Sequence, residues 1–375
     1  MSESRSIAAR MAEAAQALLD ALSADQRRVA QWDFPSDEER RLWFYTPTDH
    51  GGLIVGEMSP AQQRLAMQLL ATGLSRAGFV TASTIMGLEN VLDELEGWRV
   101  QFGFARGRDP ARYYLRVFGN PGSERWSWRF GGHHISIHHT VVDRELRAFT
   151  PCFFGADPAS SPLLGPHLLR PLAACEDLAF DLLRSLSDEQ RSRAVLSPVP
   201  PVDLVGANRT VLGEGDAPRR ITKIWRSEFT GELHDALERF QDAEEAKVGL
   251  TTGHIDALRL TAKPKGLPAA AMNASQHEIL RALVDVYFRR LPDQVADGEL
   301  AKITGPSFPS LHLAWAGSEE PGRPHYYRIQ GHRLLIEYDN TTRDGNHVHA
   351  VWRDPVADFG TDALSAHHRD AHQRT

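Results

Sequence analysis

The sequence predicts an α+β fold built by internal duplication, in which each half carries helices followed by an antiparallel β-meander and the halves pack with pseudo-twofold symmetry. Three short blocks recur in the same order in both halves of the 375-residue chain, beginning at Leu18 and Leu182, at Gly52 and Gly266, and at Arg129 and Arg328. A repeat of this length favours two fused units over a solenoid of short repeats. Helical and extended patterns do not alternate within a half, which argues against a Rossmann fold. We therefore predict domains at 1–165 and 166–375, with a functional site between them.

Each half is expected to begin with a pair of helices. Apolar residues recur at helical spacing over 7–22, and Ser23 with Gln26 forms the capping-box pattern that starts a second, shorter helix. The same two features recur over 178–186 and at Ser187 and Gln190.

A third recurring helix begins with a cap in both halves. Ser59, Pro60 and Gln62 supply an N-cap, a proline suited to the first turn and a capping glutamine. Asn273 and Gln276 repeat this cap in the second half. A further helix is predicted over 80–96 in the first half, and a weaker version of the same pattern lies over 291–303 in the second half.

Aromatic, β-rich segments follow the helices. In the first half these segments cover 113–118, 125–130, 134–142 and 145–154. In the second half they cover 311–316, 325–329, 332–338 and 347–352. Residues 196–220, with several prolines and glycines, are expected to form a loop.

Composition limits the classes of partner and compartment. A net charge of −7 without any clustered basic stretch argues against nucleic-acid binding. No apolar run is long enough to span a membrane, and the polar N-terminus lacks the apolar segment of a signal peptide. The two cysteines, Cys152 and Cys175, cannot form a disulfide framework and are expected to be buried apolar side chains. We predict a cytoplasmic protein that binds a small-molecule substrate and no membrane, with its oligomeric state left open.

The segment 131–140 contains four histidines within seven residues. On a strand, His134, Ser136 and His138 share one face, and neighbouring residues on a face are about 7 Å apart. His134 and His138 are separated by two of these spacings, so a ligand or ion is needed to bridge them. The alternative is a half-exposed sheet face on which the histidines bond to neighbours or water.

A second cluster lies near the end of the chain. His347 and His349 form a His-x-His pair on one strand face, a spacing that suits neutral imidazole ligands of zinc, iron, copper or nickel. Glu337 precedes the turn on the adjacent strand, so its carboxylate is expected across from the pair. Two histidines and a carboxylate leave open positions for water or substrate, as in catalytic sites. The alternative is a solvated hairpin with Asn340 and Asn346 as turn residues.

The repeat connects the two clusters, because an offset of 199 carries His138 onto Glu337. The sequence therefore predicts one metal site whose ligands are drawn from His134, His138, Glu337, His347 and His349. The ion is a divalent transition metal, with zinc, iron, copper and manganese not distinguished.

Further residues are assigned catalytic or substrate-binding roles around this site. Glu337 or Asp339 is a possible base, and Arg353 is either a catalytic group or part of an ion pair with Asp354. Arg129 and Arg328 occupy equivalent positions and suit a substrate carboxylate or phosphate, although strand arginines more often pair with acids at a sheet edge. Asn340 and Trp352 complete the predicted substrate-binding set. Nucleotide-binding glycine motifs, a nucleophile elbow and a His-Glu-x-x-His helix are all missing.

Several of these motifs together resemble the DUF3500 family, a group of uncharacterised proteins. The resemblance covers nearly the whole chain and rests on Met58-x3-Gln62, the helix at 85–89, Trp126 to His134, and Glu337-Tyr-Asp-Asn-Thr with Asn346 to Asp354. In the family the position of His138 is often Asn, which favours His134 as the ligand. The resemblance implies a shared site made from the two strand motifs and implies no activity.

We expect a metal-dependent enzyme, with hydrolysis through an activated water as the simplest reaction. A redox enzyme using iron or copper on the same ligands is the nearest alternative. A non-catalytic small-ligand binder is the alternative from another class, with a pocket lined by Trp126, Trp128, Tyr326 and Trp352.

Overall fold

The computed structural model describes residues 2–162 and 167–365. The predicted boundary between the halves, at 165–166, and the His-rich tail around His367 lie outside the described residues. Within those residues the chain forms the α-helices α1 (Glu3–Ala21), α2 (Ala24–Ala30), α3 (Asp37–Arg40), α4 (Pro60–Gly73), α5 (Arg76–Leu95), α6 (Ala173–Ser185), α7 (Asp188–Ala194), α8 (Gly231–Val248), α9 (Thr252–Leu258), α10 (Ala274–Phe288) and α11 (Asp293–Thr304), and residues 361–365 are also helical.

The same residues form fifteen strands, most of them in the two predicted β-rich segments. They are β1 (Gln31–Trp32), β2 (Leu53–Ile54), β3 (Tyr113–Phe118), β4 (Arg125–Gly132), β5 (Ile135–Val142), β6 (Glu145–Ala148), β7 (Cys152–Ala156), β8 (Ser161–Pro162), β9 (Leu168–Leu169), β10 (Val195–Ser197), β11 (Leu267–Pro268), β12 (His312–Gly317), β13 (His325–Gly331), β14 (Leu334–Asp339) and β15 (Val348–Arg353).

Thirteen of these strands form one mixed sheet, with β8 and β9 paired separately. Its order is β1-β3-β4-β5-β7-β15-β14-β13-β12-β10, and β2, β6 and β11 pair with β3, β5 and β12. Neighbours are antiparallel except β1 with β3 and β10 with β12, which are parallel. The predicted α+β class is therefore confirmed. The sheet contains strands from both predicted halves, and β7 of the first pairs with β15 of the second, with Val351 opposite Phe153.

The local signals in the sequence account for most element boundaries. The capping boxes predicted at Ser23, Ser59, Ser187 and Asn273 are all present, each closed by the glutamine three residues later. The strand expected over 145–154 is instead two strands, β6 and β7, which pair with opposite ends of β5. Helix α8 and the short edge strands β1 and β10 were not among the predicted elements.

Alternation along the central strands separates the two faces of the sheet. On β15, Val348, Ala350 and Trp352 join the main apolar core, to which α1, α4, α5, α6 and α10 contribute. Val351 instead packs in a smaller cluster on the opposite face, beneath loops that include Trp43 and Leu204. His349 has the same parity as Val351, so it projects from the loop-covered face.

Across the described helices, none combines the length and apolar character needed to cross a bilayer.

Candidate metal centre

A cavity of about 440 Å³ lies on the loop-covered face of the sheet. Its lining includes His134, in the turn between β4 and β5, His347, just before β15, and His349, on β15. Its remaining walls come from the loops at 45–47, 102–108 and 202–225 and from α8. The cavity therefore joins residues of the two predicted halves.

The three histidines converge on one point. One nitrogen from each of His134, His347 and His349 lies within 4.8 Å of the other two. The Nε2 atoms of His134 and His347 are 2.8 Å apart. The ring centroids of His347 and His349 are 4.6 Å apart, and those of His134 and His349 are 5.4 Å apart. Three imidazoles at this spacing have the donor type and number of a mononuclear metal site.

His134 reaches this point from a hairpin loop, not from a strand. It is the second residue of the two-residue connection between β4 and β5, and its φ of 64° is in the left-handed region. Its N–H donates to the carbonyl of Tyr45 (3.0 Å), and its carbonyl accepts from the N–H of Gly155 (2.8 Å). A Cβ on Gly155 would lie 2.7 Å from His134 Cδ2, so the glycine leaves room for the ring. The prediction that His134 begins a strand and shares a face with His138 is corrected by this turn.

Hydrogen bonds from outside the cluster orient two of the imidazoles. His349 Nδ1 donates to Asp203 Oδ1 (2.8 Å), and the Tyr45 hydroxyl donates to Asp203 Oδ2 (2.7 Å). His347 Nδ1 lies 2.7 Å from Thr342 Oγ1. Because both Nδ1 atoms are engaged, the Nε2 atoms are the ones free to face the cluster. A carboxylate behind a histidine in this way is the usual outer partner of a metal-bound imidazole.

Burial favours the neutral form of these ligands. It holds the pKa of His134 and of His347 well below the usual histidine value, and the neighbouring imidazoles lower both pKa values further. A neutral imidazole carries the lone pair that a metal requires. At pH 7 both side chains are therefore in the ligating form.

A second group of possible ligands, Glu89, His133 and His134, lies beside the first. Glu89 Oε1 is 2.5 Å from His133 Nδ1, and burial raises the pKa of Glu89 to about 8. The His133 and His134 rings are stacked with centroids 3.7 Å apart, so their in-plane lone pairs run side by side and do not meet. The Arg108 guanidinium is 3.4 Å from His133 Nδ1 and opposes a second cation. This group is better explained as hydrogen-bonded support for His133.

Two of the predicted metal ligands lie apart from both groups. Glu337 is fully buried, and its carboxylate accepts from the N–H groups of Val205 (2.9 Å) and Gly206 (3.0 Å) and from the Tyr326 hydroxyl (2.8 Å). His138 is buried on β5, with Nε2 3.2 Å from Ser136 Oγ. The structure thus brings together His134, His347 and His349, while Glu337 and His138 have other neighbours.

The predicted catalytic residues Asp339 and Arg353 also have protein partners. Asp339 accepts from the N–H (3.1 Å) and hydroxyl (2.8 Å) of Thr341, and burial raises its pKa well above the usual value. Arg353 is paired with Asp358 (2.7 Å), not with Asp354 as the alternative had it. Asp354 instead accepts from Arg333 (2.8 Å).

None of the four predicted substrate-binding residues lines the cavity. Arg129 is buried against Glu39, and Arg328 donates to the carbonyl of Leu258 (2.8 Å). Asn340 accepts from the N–H of His325 (2.8 Å), as a turn residue would. Trp352 is buried in the main core together with Trp126 and Trp128, and Tyr326 is buried beside Glu337. These side chains hold the sheet and its loops together.

The orienting residues Asp203, Tyr45 and Thr342 were not found by sequence reasoning. Asp203 lies in the segment predicted only as a loop, and Tyr45 is 158 positions away from it. Of these three residues, Thr342 alone lies beside a motif identified in the sequence, because it directly follows the Glu337-Tyr-Asp-Asn-Thr segment.

The comparisons with known proteins identify a family. The family model described as "Protein of unknown function (DUF3500)" matches residues 4–361. No curated protein and no solved structure matches the chain.

Proposed function

This chain belongs to the DUF3500 family of proteins of unknown function, and we propose that it is a metal-dependent enzyme whose ion is held by His134, His347 and His349. The observation that carries this proposal is the convergence of three imidazoles, two of them oriented from behind by Asp203 and Thr342. The proposed ligand set therefore omits Glu337 and His138.

The donor set fits some of the candidate ions better than others. Three neutral imidazoles without a carboxylate suit zinc, copper or iron, whereas manganese prefers oxygen ligands. Three protein ligands leave a position open for water or substrate, as in catalytic zinc sites. We therefore favour zinc, iron or copper over manganese.

The reaction we favour is hydrolysis. A bound divalent ion supplies Lewis acidity, which lowers the pKa of a water molecule or polarises a substrate carbonyl. Asp203 fixes the tautomer of His349, and the apolar side chains Ile224 and Trp225 limit the access of bulk water to the cavity. His133 also lines the cavity, and burial together with the Arg108 guanidinium holds its pKa well below the usual value, so its ring stays neutral and can hydrogen-bond to a water or substrate without becoming a cation. Glu337 and Asp339 are not retained as the base, because neither lines the cavity.

Metal content of the untagged protein, measured by inductively coupled plasma mass spectrometry, tests the proposal. We expect about one ion per chain in the wild type, and roughly a tenth of that in the double variant His347→Ala/His349→Ala. His332→Ala is the matched control, because His332 is an exposed histidine in the turn between β13 and β14 and lies outside the cavity. Undiminished stoichiometry in a folded double variant would contradict the proposal.

The identity of the ion separates hydrolysis from the redox alternative, which requires iron or copper on the same ligands.

The apolar walls of the cavity favour the ligand-binding alternative. Unchanged ligand affinity after chelation, in a protein that carries no stoichiometric metal, would support that reading.

We also propose that the chain arose by duplication, giving halves at 1–165 and 166–375 related by a pseudo-twofold axis between β7 and β15. The strand order supports this, because β1-β3-β4-β5-β7 is mirrored by β10-β12-β13-β14-β15, with β2 and β11 added at matching places. Matching glutamine bridges support it further, Gln26 to Gln62 (3.2 Å) and Gln190 to Gln276 (3.1 Å).

Equivalent glutamines test the duplication. Gln62 Nε2 donates to the carbonyl of Ala21 (2.7 Å), and Gln276 Nε2 donates to the carbonyl of Ser185 (2.8 Å). Gln62→Ala and Gln276→Ala should therefore each lower the free energy of unfolding by ~1–2 kcal/mol, measured by urea denaturation. A loss confined to one of the two variants would argue against equivalent halves.

A further inference from the structure

Three guanidinium groups line the cavity, and two of them are neutralised by carboxylates. Arg108 donates to both oxygens of Glu96, at 2.7 and 2.9 Å. Arg343 pairs with Asp157 (2.8 Å) and also with Glu96 (2.5 Å). Neither of these arginines has its charge free for a ligand.

The third guanidinium, Arg219, is not neutralised in this way. Within the described part of the chain, its one hydrogen bond runs from NH1 to Asn208 Oδ1 (3.0 Å), and no carboxylate lies within 4.0 Å of it. Asn208 is itself buried, so it fixes the position of the guanidinium. An arginine has five N–H donors, and this one keeps most of them for a molecule that enters the cavity.

The walls next to Arg219 are mostly apolar. Ile221, Ile224 and Trp225 follow it along the chain, and Leu237 and Phe240 of α8 add to them. The rings of Phe102 and Trp225 lie with centroids 5.3 Å apart. A volume of about 440 Å³ is within the usual range for a small-molecule site. The cavity therefore suits a molecule with one anionic group and an apolar body.

We propose that the molecule bound in this cavity is an organic acid whose carboxylate is held by Arg219 and whose apolar body lies against Ile224 and Trp225. The planar fork of one guanidinium matches the two oxygens of a carboxylate. Of the three guanidinium groups that line the cavity, Arg219 alone has no carboxylate partner among the described residues, so it balances one negative charge, which favours a carboxylate over a phosphate dianion. The inference rests on the proposed function, since it names the substrate class of the same site.

Paired ligands that differ only in charge test the anion subsite. We would titrate the protein as purified with phenylacetate and hexanoate, each against its primary amide, and follow binding by ligand-observed NMR. Each acid is expected to bind about tenfold more tightly than its amide, because a charge-assisted hydrogen bond replaces a neutral one. In Arg219→Gln this preference should disappear, with affinity for the amide unchanged within roughly twofold. Arg64→Gln, at an exposed arginine on α4, is the matched control.

The result that overturns the inference is equal binding of acid and amide by the wild type, failure of both acids to bind, or a preference for the acids that survives in folded Arg219→Gln. The same titrations on chelated protein separate this inference from the metal proposal. A preference that depends on Arg219 and persists without metal supports the anion subsite even if the metal measurement fails. A preference that vanishes on chelation and ignores Arg219 assigns the carboxylate to the ion and overturns the inference.

Discussion

Replacing Asp203 with asparagine should weaken metal binding about tenfold. In the wild type, His349 Nδ1 lies 2.8 Å from Asp203 Oδ1. Asp203→Asn keeps the shape of the side chain and one acceptor oxygen for this hydrogen bond, but removes the negative charge. A hydrogen bond to a charged group contributes ~1.5–3 kcal/mol and a neutral one ~0.5–1.5 kcal/mol. The difference of roughly 1–1.5 kcal/mol corresponds to about a tenfold change in affinity, at the lower end of what outer partners of metal ligands contribute.

Competition against a chromophoric chelator would measure this change. Tyr45→Phe is the graded comparison, because it removes one donor to Asp203 and leaves the carboxylate charged. We expect that variant to lose no more than roughly threefold in metal affinity. Asp297→Asn, at an exposed acid on α11 that pairs with Arg289, controls for a general loss of charge. Metal affinity in Asp203→Asn within twofold of the wild type would refute the reasoning that Asp203 acts through His349.

Two further predictions concern the packing of His134 against Gly155 and the burial of His139. Gly155→Ala places a Cβ 2.7 Å from His134 Cδ2 and 2.8 Å from the Val348 carbonyl, so we expect metal affinity to fall at least about tenfold and stability to fall ~1–3 kcal/mol. Gly87→Ala, where an added Cβ meets nothing within 4 Å on α5, should instead raise stability ~0.5–1 kcal/mol in the same denaturation assay and leave metal binding unchanged. Burial lowers the pKa of His139 to about 3, so between that pH and 6.5 the unfolded chain binds a proton that the folded chain does not. The free energy of unfolding should therefore rise by ~1.4 kcal/mol per pH unit through that window from this residue, and His139→Leu should reduce the measured slope by that amount; an unchanged slope would contradict the assignment.

Much of the fold was predictable because its signals are local. The capping boxes at Ser23 and Ser187 need only residues three positions apart, and both are present. The strands β12 and β15 lie within one residue of their predicted ranges, since apolar alternation marks them directly. Helix α8 carried no comparable signal. Gln241 is its one buried residue, so the helix lacks the apolar stripe that marks a helix packed on a core.

The candidate site was predictable only where its proposed ligands lie on a strand or directly beside one. His347 and His349 are found by spacing, and the density of histidines around His134 marks that turn. Glu337 was placed on the correct face, but it lies opposite Val351, two residues along from His349. The loop at Val205 and Gly206 then binds its carboxylate. The sheet face and the strand pairing therefore narrow the set of candidate ligands, but they do not determine which of those side chains lie close together.

The residues proposed to orient the metal ligands and to select the substrate lie in loops, where apolar residues have no regular spacing. Tyr45 and Asp203 come from separate loops and meet through a single 2.7 Å hydrogen bond. Arg219 lies in the same long loop region as Asp203, between β10 and α8. In the proposed site, Arg219 and the apolar residues Ile224 and Trp225 belong to this region, so changes here are expected to alter which acid binds. The proposed metal ligands lie outside it, His134 in the turn between β4 and β5, His347 just before β15 and His349 on β15. Arg219 donates to Asn208 and not to Asp203 or a histidine, so substitution at Arg219 should change ligand selectivity without loss of metal.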